Sequence, residues 1–339
     1  TIRHQIAILN IQPIEKRCAA IRCPFQTNLS CYTYHPMSLL KAPPPHSVFD
    51  AVMDDGAVIR LRRHGNPAGP RAILSHGNGL AINGYFPYWR LLLAEFDVMV
   101  FDFRNSGENP VDDGAHSYER FLKDLTAIYD AIDREFGEKP QVGIFHSMSS
   151  RANLKYALDG NRRLDGLIVF DPPMVPAEEH PLYERLLGEE TILWRWAQSR
   201  PDSFADPAEQ AAQFKKSRML SKWVDGAYEL MARSILRYDA AAHTWNLVCS
   251  GAREADIYKQ NADLNIWPQA DEFPMPMLVI ASDPESKIPS SPAYACRALR
   301  DECGWAYECV EGTGHFLQIQ EPEQCAAITR RFADDIGLI

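Results

Sequence analysis

The sequence has no CxxC pair, no HExxH, no GxGxxG after an apolar run and no GxxxxGK[ST]. These absences remove thiolate zinc sites and dithiol redox chemistry, zinc-dependent hydrolysis, dinucleotide binding and phosphate-loop chemistry. No metal and no cofactor is expected. No apolar run approaches the roughly 20 residues that span a bilayer. No Lys/Arg-rich run occurs either, and the formal net charge is -10, which argues against nucleic acid and against an anionic membrane surface. Small neutral or apolar molecules are the expected partners, and nothing in the chain signals an oligomeric state.

Cysteines are present at Cys18, Cys23, Cys31, Cys249, Cys296, Cys303, Cys309 and Cys325. Their spacing suits neither a zinc site nor a disulfide framework, so they read as mostly free thiols in a reducing, cytoplasmic compartment. One bridge among the first three, in an exported chain whose leader was cleaved before Thr1, is the alternative.

At 339 residues and 46% hydrophobic content, the chain suits one large domain with an insertion. Residues 1–46 show no period, end in "APPPH" and read as an irregular arm. "VFDAVMDDGAVIRLRRHG" reads as strand, Asp-Gly turn, strand. "RAILSHG", "FDVMVFDFR", "QVGIFHS" and "LDGLIVFDPP" are short apolar runs separated by helix-length segments, the pattern of a buried parallel sheet. "YERFLKDLTAIYDAIDREFG" carries one apolar face and ends in Gly, as a helix covering such a sheet would. The alternation stops over 172–272, which predicts a helical cap, and resumes with "PMPMLVIASDP" and "WAYECVEG". The expected fold is α/β, a mostly parallel central sheet flanked by helices, with core segments 47–171 and 273–339.

"FHSMS", residues 145–149, sits where a strand meets a helix, the setting of a nucleophile elbow G-x-S-x-G. Phe145 replaces the first glycine of that pattern. Ser147 is the candidate nucleophile, because Arg151 would occupy a small position if Ser149 were chosen. A serine needs a base, itself oriented by a carboxylate. His315, in the Gly-rich "EGTGHF", is the candidate base, and His146 should point away from the serine. Asp283, ending "MLVIAS", is the favoured acid, with Glu285 and Asp171 as alternatives. The backbone N–H groups of Asn78, in "SHGNG", and Met148 are candidates for holding an oxyanion, with His76 bracing that turn.

These pieces together resemble the α/β-hydrolase superfamily over roughly residues 47–339. The chain order Ser147, Asp283, His315 matches that family's order, as do "HGNG", "FDFRNSGEN" and "SDPESKI". The insertion more faintly resembles the cap of fungal toxin-biosynthesis and acyl-thioester hydrolases. The resemblance implies a serine hydrolase that cleaves an ester, lactone or thioester through an acyl-enzyme. A ligand-binding relative with little turnover, which the bulk of Phe145 favours, and a cofactor-free C–C hydrolase or oxygenase are the rival readings. Gly79, Tyr85, Phe86, Trp194 and Trp223, with further insertion aromatics and methionines such as Trp196, Met219 and Trp245, are expected to build a dry apolar pocket for a medium-sized substrate.

Overall fold

The computed structural model describes residues 40–161, 163–261 and 266–339, so the expected arm lies outside them up to residue 39. Residues 40–46 run without regular structure into the first strand. Strands β1 (Ser47–Val52) and β2 (Val58–Gly65) form the expected antiparallel hairpin, and Gly56 takes the left-handed turn at φ 88°. Strands β3 (Arg71–Ser75), β4 (Asp97–Phe101), β5 (Gln141–His146) and β6 (Gly166–Phe170) follow, each buried along its whole length. The insertion carries β7 (Ser203–Phe204), β8 (Leu236–Asp239) and β9 (Thr244–Leu247), and the core closes with β10 (Met277–Ser282) and β11 (Ala306–Val310).

The main sheet has eight strands in the order β1-β2-β4-β3-β5-β6-β10-β11, parallel from β4 onward. A run with no polar alternation suits a strand covered on both faces, and both faces are covered here. One face packs against the core around Phe121, Leu125 and Ile128 of α2, and the other against the core around Tyr88, Trp89 and Ile328.

The helices are α1 (Phe86–Trp89), α2 (Tyr118–Phe136), α3 (Met148–Leu158), α4 (Tyr183–Ser199), α5 (Pro207–Lys216), α6 (Ala227–Ile235), α7 (Gly251–Gln260), α8 (Ser291–Cys303), α9 (Leu317–Gln320) and α10 (Pro322–Asp335). In α2 the Ser117 side chain accepts from the Arg120 N–H at the start, and Gly137, at φ 78°, follows the end. The insertion differs from the all-helical expectation. Its strands form a separate antiparallel sheet, β7-β9-β8. "RSILRY" continues a helix-like stretch in the sequence, but its end forms β8, and the "DAAAH" turn folds "HTWNLV" back on it as β9.

At the N-terminal edge of β4, away from the strand ends that carry the candidate site, Asp97 is fully buried among three cations. Its carboxylate lies 2.6 Å from Arg63 Nε, 2.9 Å from Lys139 Nζ and 3.7 Å from Arg71 Nε. The cluster ties β2, β3 and β4 to the segment before β5. Asp97→Asn would strand the fully buried Arg71 without that charge, and about 3 kcal/mol of stability should be lost in urea denaturation.

Candidate active site

The geometry begins with a backbone that few residues adopt. Ser147 joins β5 to α3 at φ 55° and ψ −117°, which lifts its side chain off the C-terminal end of the sheet. Its N–H donates to Phe170 O at 2.9 Å. Ser149 clasps the turn from the other side: its Oγ accepts from His146 N at 3.0 Å and donates to His146 O at 2.9 Å. Ser149 is thus a brace, and Ser147 is the hydroxyl left at the sheet edge.

Phe145, the departure from the glycine pattern, is accommodated one step upstream on the same face of the strand. A Cβ on Gly143 would stand 2.5 Å from the Phe145 ring, so the missing side chain at 143 makes room for the ring at 145. The signal for this, a glycine two residues before the bulky one, was present in "QVGIF".

His315 Nε2 lies 3.1 Å from Ser147 Oγ, and His315 Nδ1 lies 3.2 Å from Asp171 Oδ2. The acid beside the imidazole is therefore Asp171, not Asp283. Asp171 ends β6, fully buried, at φ 43°. It accepts from Ser282 N at 2.8 Å, Ser282 Oγ at 2.6 Å and Ser290 Oγ at 3.1 Å. The end of β10 thus contributes the hydroxyls that hold the carboxylate. Asp283, one residue farther on, is used in loop closure and accepts from the N–H groups of Glu285 and Gly312. Glu285 is exposed and pairs with Arg297 at 2.7 Å. The strand order explains the correction, since β6 lies between β5 and β10 and its end is flanked by both.

Beside the serine, the loop after β3 packs so closely that a Cβ on Gly77 would stand 3.2 Å from Ser147 Cβ. The Met148 amide is in the first turn of α3, where an N–H has no intrahelical acceptor. The Asn78 side chain is committed elsewhere, its Nδ2 donating to Glu254 O of α7 at 2.8 Å. His76 braces the loop: the Phe103 N–H donates to its Nε2 at 3.1 Å, so Nδ1 carries the proton and donates to Gly77 O at 2.8 Å. Burial lowers the His76 pKa.

A second brace was not expected from the sequence. Gly77 N–H donates to the Tyr85 hydroxyl at 3.2 Å, and that hydroxyl donates to His146 Nδ1 at 2.8 Å. His146 Nε2 then donates to the His315 carbonyl at 2.8 Å. His146 is fully buried and its pKa is well below the usual range, chiefly through desolvation and then through the charge of His315. Tyr85 is a core residue with its hydroxyl spent, not the pocket wall it was expected to be. Phe86 packs edge-on against Trp89, with ring centroids 4.6 Å apart.

Above the serine, the insertion supplies a polar roof. A Cβ on Gly79 would stand 2.4 Å from the Glu254 carboxyl carbon, so only glycine fits beneath it. Glu254 pairs with Arg200 and accepts from the Tyr258 hydroxyl at 3.4 Å. Glu190 is buried, accepts from Asn261 Nδ2, and is pushed up to about 7 by desolvation. Trp223 is buried against Phe316, Phe214 and Tyr228 beside the His315 loop, and Trp194 is half-buried on α4. Trp196 and Met219 stay exposed and Trp245 pairs with Tyr238, so the insertion's aromatics do not gather into the single dry pocket that was expected.

A hydroxyl, imidazole and carboxylate so placed can pass the serine proton to His315 Nε2 while Asp171 holds Nδ1–H. Residues 72–328 match the Alpha/beta hydrolase family. No curated protein matches the chain. Among solved structures, an E-2-(acetamidomethylene)succinate hydrolase is similar at TM-score 0.67 and 18% identity, over 85% of this chain and 100% of that one. An N-formylmaleamic acid deformylase from Pseudomonas putida S16 is similar at TM-score 0.58 and 16% identity, over 84% and 100%. The thioesterase domain of a curacin biosynthetic pathway is similar at TM-score 0.60 and 17% identity, over 83% and 98%.

Two measurements test the braces. Tyr85→Phe leaves a buried N–H and a buried imidazole nitrogen without partners, and should cost about 1–3 kcal/mol in urea unfolding. The second reads Glu190, whose carboxyl ionises near 4.5 when unfolded and about 7 when folded. Between those values the native state binds more protons, so this group's contribution to stability falls as pH rises through the window and levels off above it. Glu190→Gln should remove that contribution, so the stability of the variant relative to the parent should climb from about pH 4.5 to 7. A difference independent of pH would refute it.

Proposed function

The chain belongs to the alpha/beta hydrolase family, and from that premise we propose that it is a serine hydrolase cleaving an uncharged carboxylic ester, lactone or thioester through an acyl-enzyme. The observation that carries this reading is Ser147 Oγ at 3.1 Å from His315 Nε2, with Asp171 at 3.2 Å from the other nitrogen of the same ring. Ser147 attacks the carbonyl carbon, His315 takes its proton and returns it to the leaving group, and Asp171 holds the imidazole tautomer. The N–H groups of Asn78 and Met148 receive the negative charge on the carbonyl oxygen. Water, activated by the same imidazole, then releases the acid and restores the serine.

The preference for an uncharged substrate rests on the desolvation of the roof, where Glu254 over Gly79 is buried and met by Arg200 and Glu190 is buried and pushed up to about 7, so a further charge would be costly to take out of water there. The apolar part of a medium-sized acyl group would find its contacts at Phe316, which packs against the His315 ring and is backed by Trp223. The accommodation of Phe145 by Gly143 removes the sequence feature that favoured a binding protein without turnover.

The test has three arms. A fluorophosphonate should label the protein, and mass spectrometry should place the adduct on Ser147. Ser147→Ala should lower turnover of a responsive ester roughly 10³-fold or more and abolish labelling, while Ser149→Ala keeps both. Asp171→Asn should cost about 10⁴ in kcat because the imidazole tautomer is no longer enforced, whereas Asp283→Asn should change kcat little. If Asp283→Asn proves the damaging substitution, the acid is misassigned; if the parent protein takes no label, the nucleophile is.

A further inference from the structure

A cavity of about 950 Å³ opens on the far side of the loop that follows Asn78 and Gly79, lined by Ala81 and Asn83 of that loop, by β2, by α6 with β8, and by residues 40–45. Its charge is opposite to that of the chain as a whole. Lys41, Arg60, Arg62, Arg233 and Arg237 line it, against the two carboxylates Asp102 and Glu108. Both of those are taken by Arg62, at 2.6 and 2.7 Å, and Arg60 is paired at 2.8 Å with Asp50 outside the cavity. Among the described residues, Lys41, Arg233 and Arg237 have no carboxylate within ion-pair distance. His64 adds no charge near neutrality, because burial pushes its imidazole down to about 4.

Two of the cations are set in place by the fold. Arg237 Nη2 donates to the carbonyls of Asn109 at 2.7 Å and Gly107 at 3.1 Å, and the Arg62 side chain is 3% exposed beneath its two carboxylates. With Asp50 counted against Arg60, the cations exceed the carboxylates by two, and Lys41, Arg233 and Arg237, from three separate elements, repel one another around a concave wall. In a chain of net charge -10, such an arrangement concentrates positive potential at one point and draws anions to it. Pro43, Pro44, Pro45 and Leu230 give the wall an apolar part beside the polar His64, Asn83 and Ser234.

We propose that this cavity binds a small organic phosphate, its anionic group held by Lys41, Arg233 and Arg237 and its organic body laid against the proline wall. Guanidinium and ammonium groups supply charge-assisted bonds to phosphate oxygens. The volume lies at the upper end of the range for small-molecule sites and exceeds what a bare anion fills. The site is separate from the Ser147 centre and stands or falls independently of the hydrolase reading.

The experiment titrates the full-length protein by calorimetry with pyrophosphate, ADP and citrate at matched ionic strength. Saturable binding of pyrophosphate is expected, tighter for ADP because of the apolar wall, and weaker for citrate. The doubly substituted Lys41→Gln, Arg233→Gln protein, checked for an unchanged circular dichroism spectrum, should bind pyrophosphate at least about tenfold more weakly, since each charge-assisted bond is worth more than the 1.4 kcal/mol of one decade. Arg233→Lys should recover part of the loss. Absence of saturable pyrophosphate binding, or affinity untouched by the double substitution, overturns the site. Citrate binding as tightly as ADP overturns the phosphate assignment.

Discussion

The left-handed backbone at Ser147 is the constraint on which the rest of the sheet edge depends. A non-glycine residue at φ 55° and ψ −117° carries a conformational cost on the order of 1–3 kcal/mol and persists only where its surroundings over-determine it. Here the over-determination centres on His146, the residue before. Its N–H and carbonyl are both held by Ser149, and its ring is held between Tyr85 and the His315 carbonyl. One buried imidazole thus fixes the elbow, the loop after β3 and the histidine loop relative to one another. These three loops come from distant parts of the chain, and no short-range interaction could set their spacing.

The same logic operates one strand over. Asp171 also sits at positive φ, and its carboxylate takes hydrogen bonds from the end of β10 and from Ser290 before it meets His315. A carboxylate that accepts several bonds is stiff, and stiffness is what an orienting group requires. Asp283 is engaged elsewhere in the present fold. It follows Ser282, whose N–H and hydroxyl donate to Asp171, and its own carboxylate closes the turn at Gly312.

Most of the sheet was legible because continuous apolar runs bounded by Gly, Pro and Asp have few other interpretations at that length. The positions of Ser147 and His315 were legible for a similar reason: strand ends are where the chain has to turn, and chemistry-bearing residues at such turns stand out. Asp171 ranked behind Asp283 because the two prolines after it make an Asp look like turn punctuation. Choosing between the ends of β6 and β10 required the lateral strand order, and periodicity along the chain does not carry it. The Tyr85 brace was invisible because "YFPYW" reads as apolar surface, and the partner of its hydroxyl lies 61 residues away. The small sheet of the insertion was missed because β8 and β9 are four residues each, too short for alternation to separate strand from helix.

The contacts of the insertion with the loop after β3 are those of a fixed wall. Glu254 occupies the space a side chain at Gly79 would need, and its backbone carbonyl holds the Asn78 amide. Farther along, a Cβ on Gly84 would stand 2.3 Å from Met231 Sδ of α6, so that helix is keyed into the same loop. Lifting α6 and α7 together would strip the loop after β3 of both contacts while the Tyr85 brace held it from below. The loop whose amide is proposed to meet the substrate oxygen is therefore clamped from two sides, by the core through His146 and by the insertion through Glu254 and Met231.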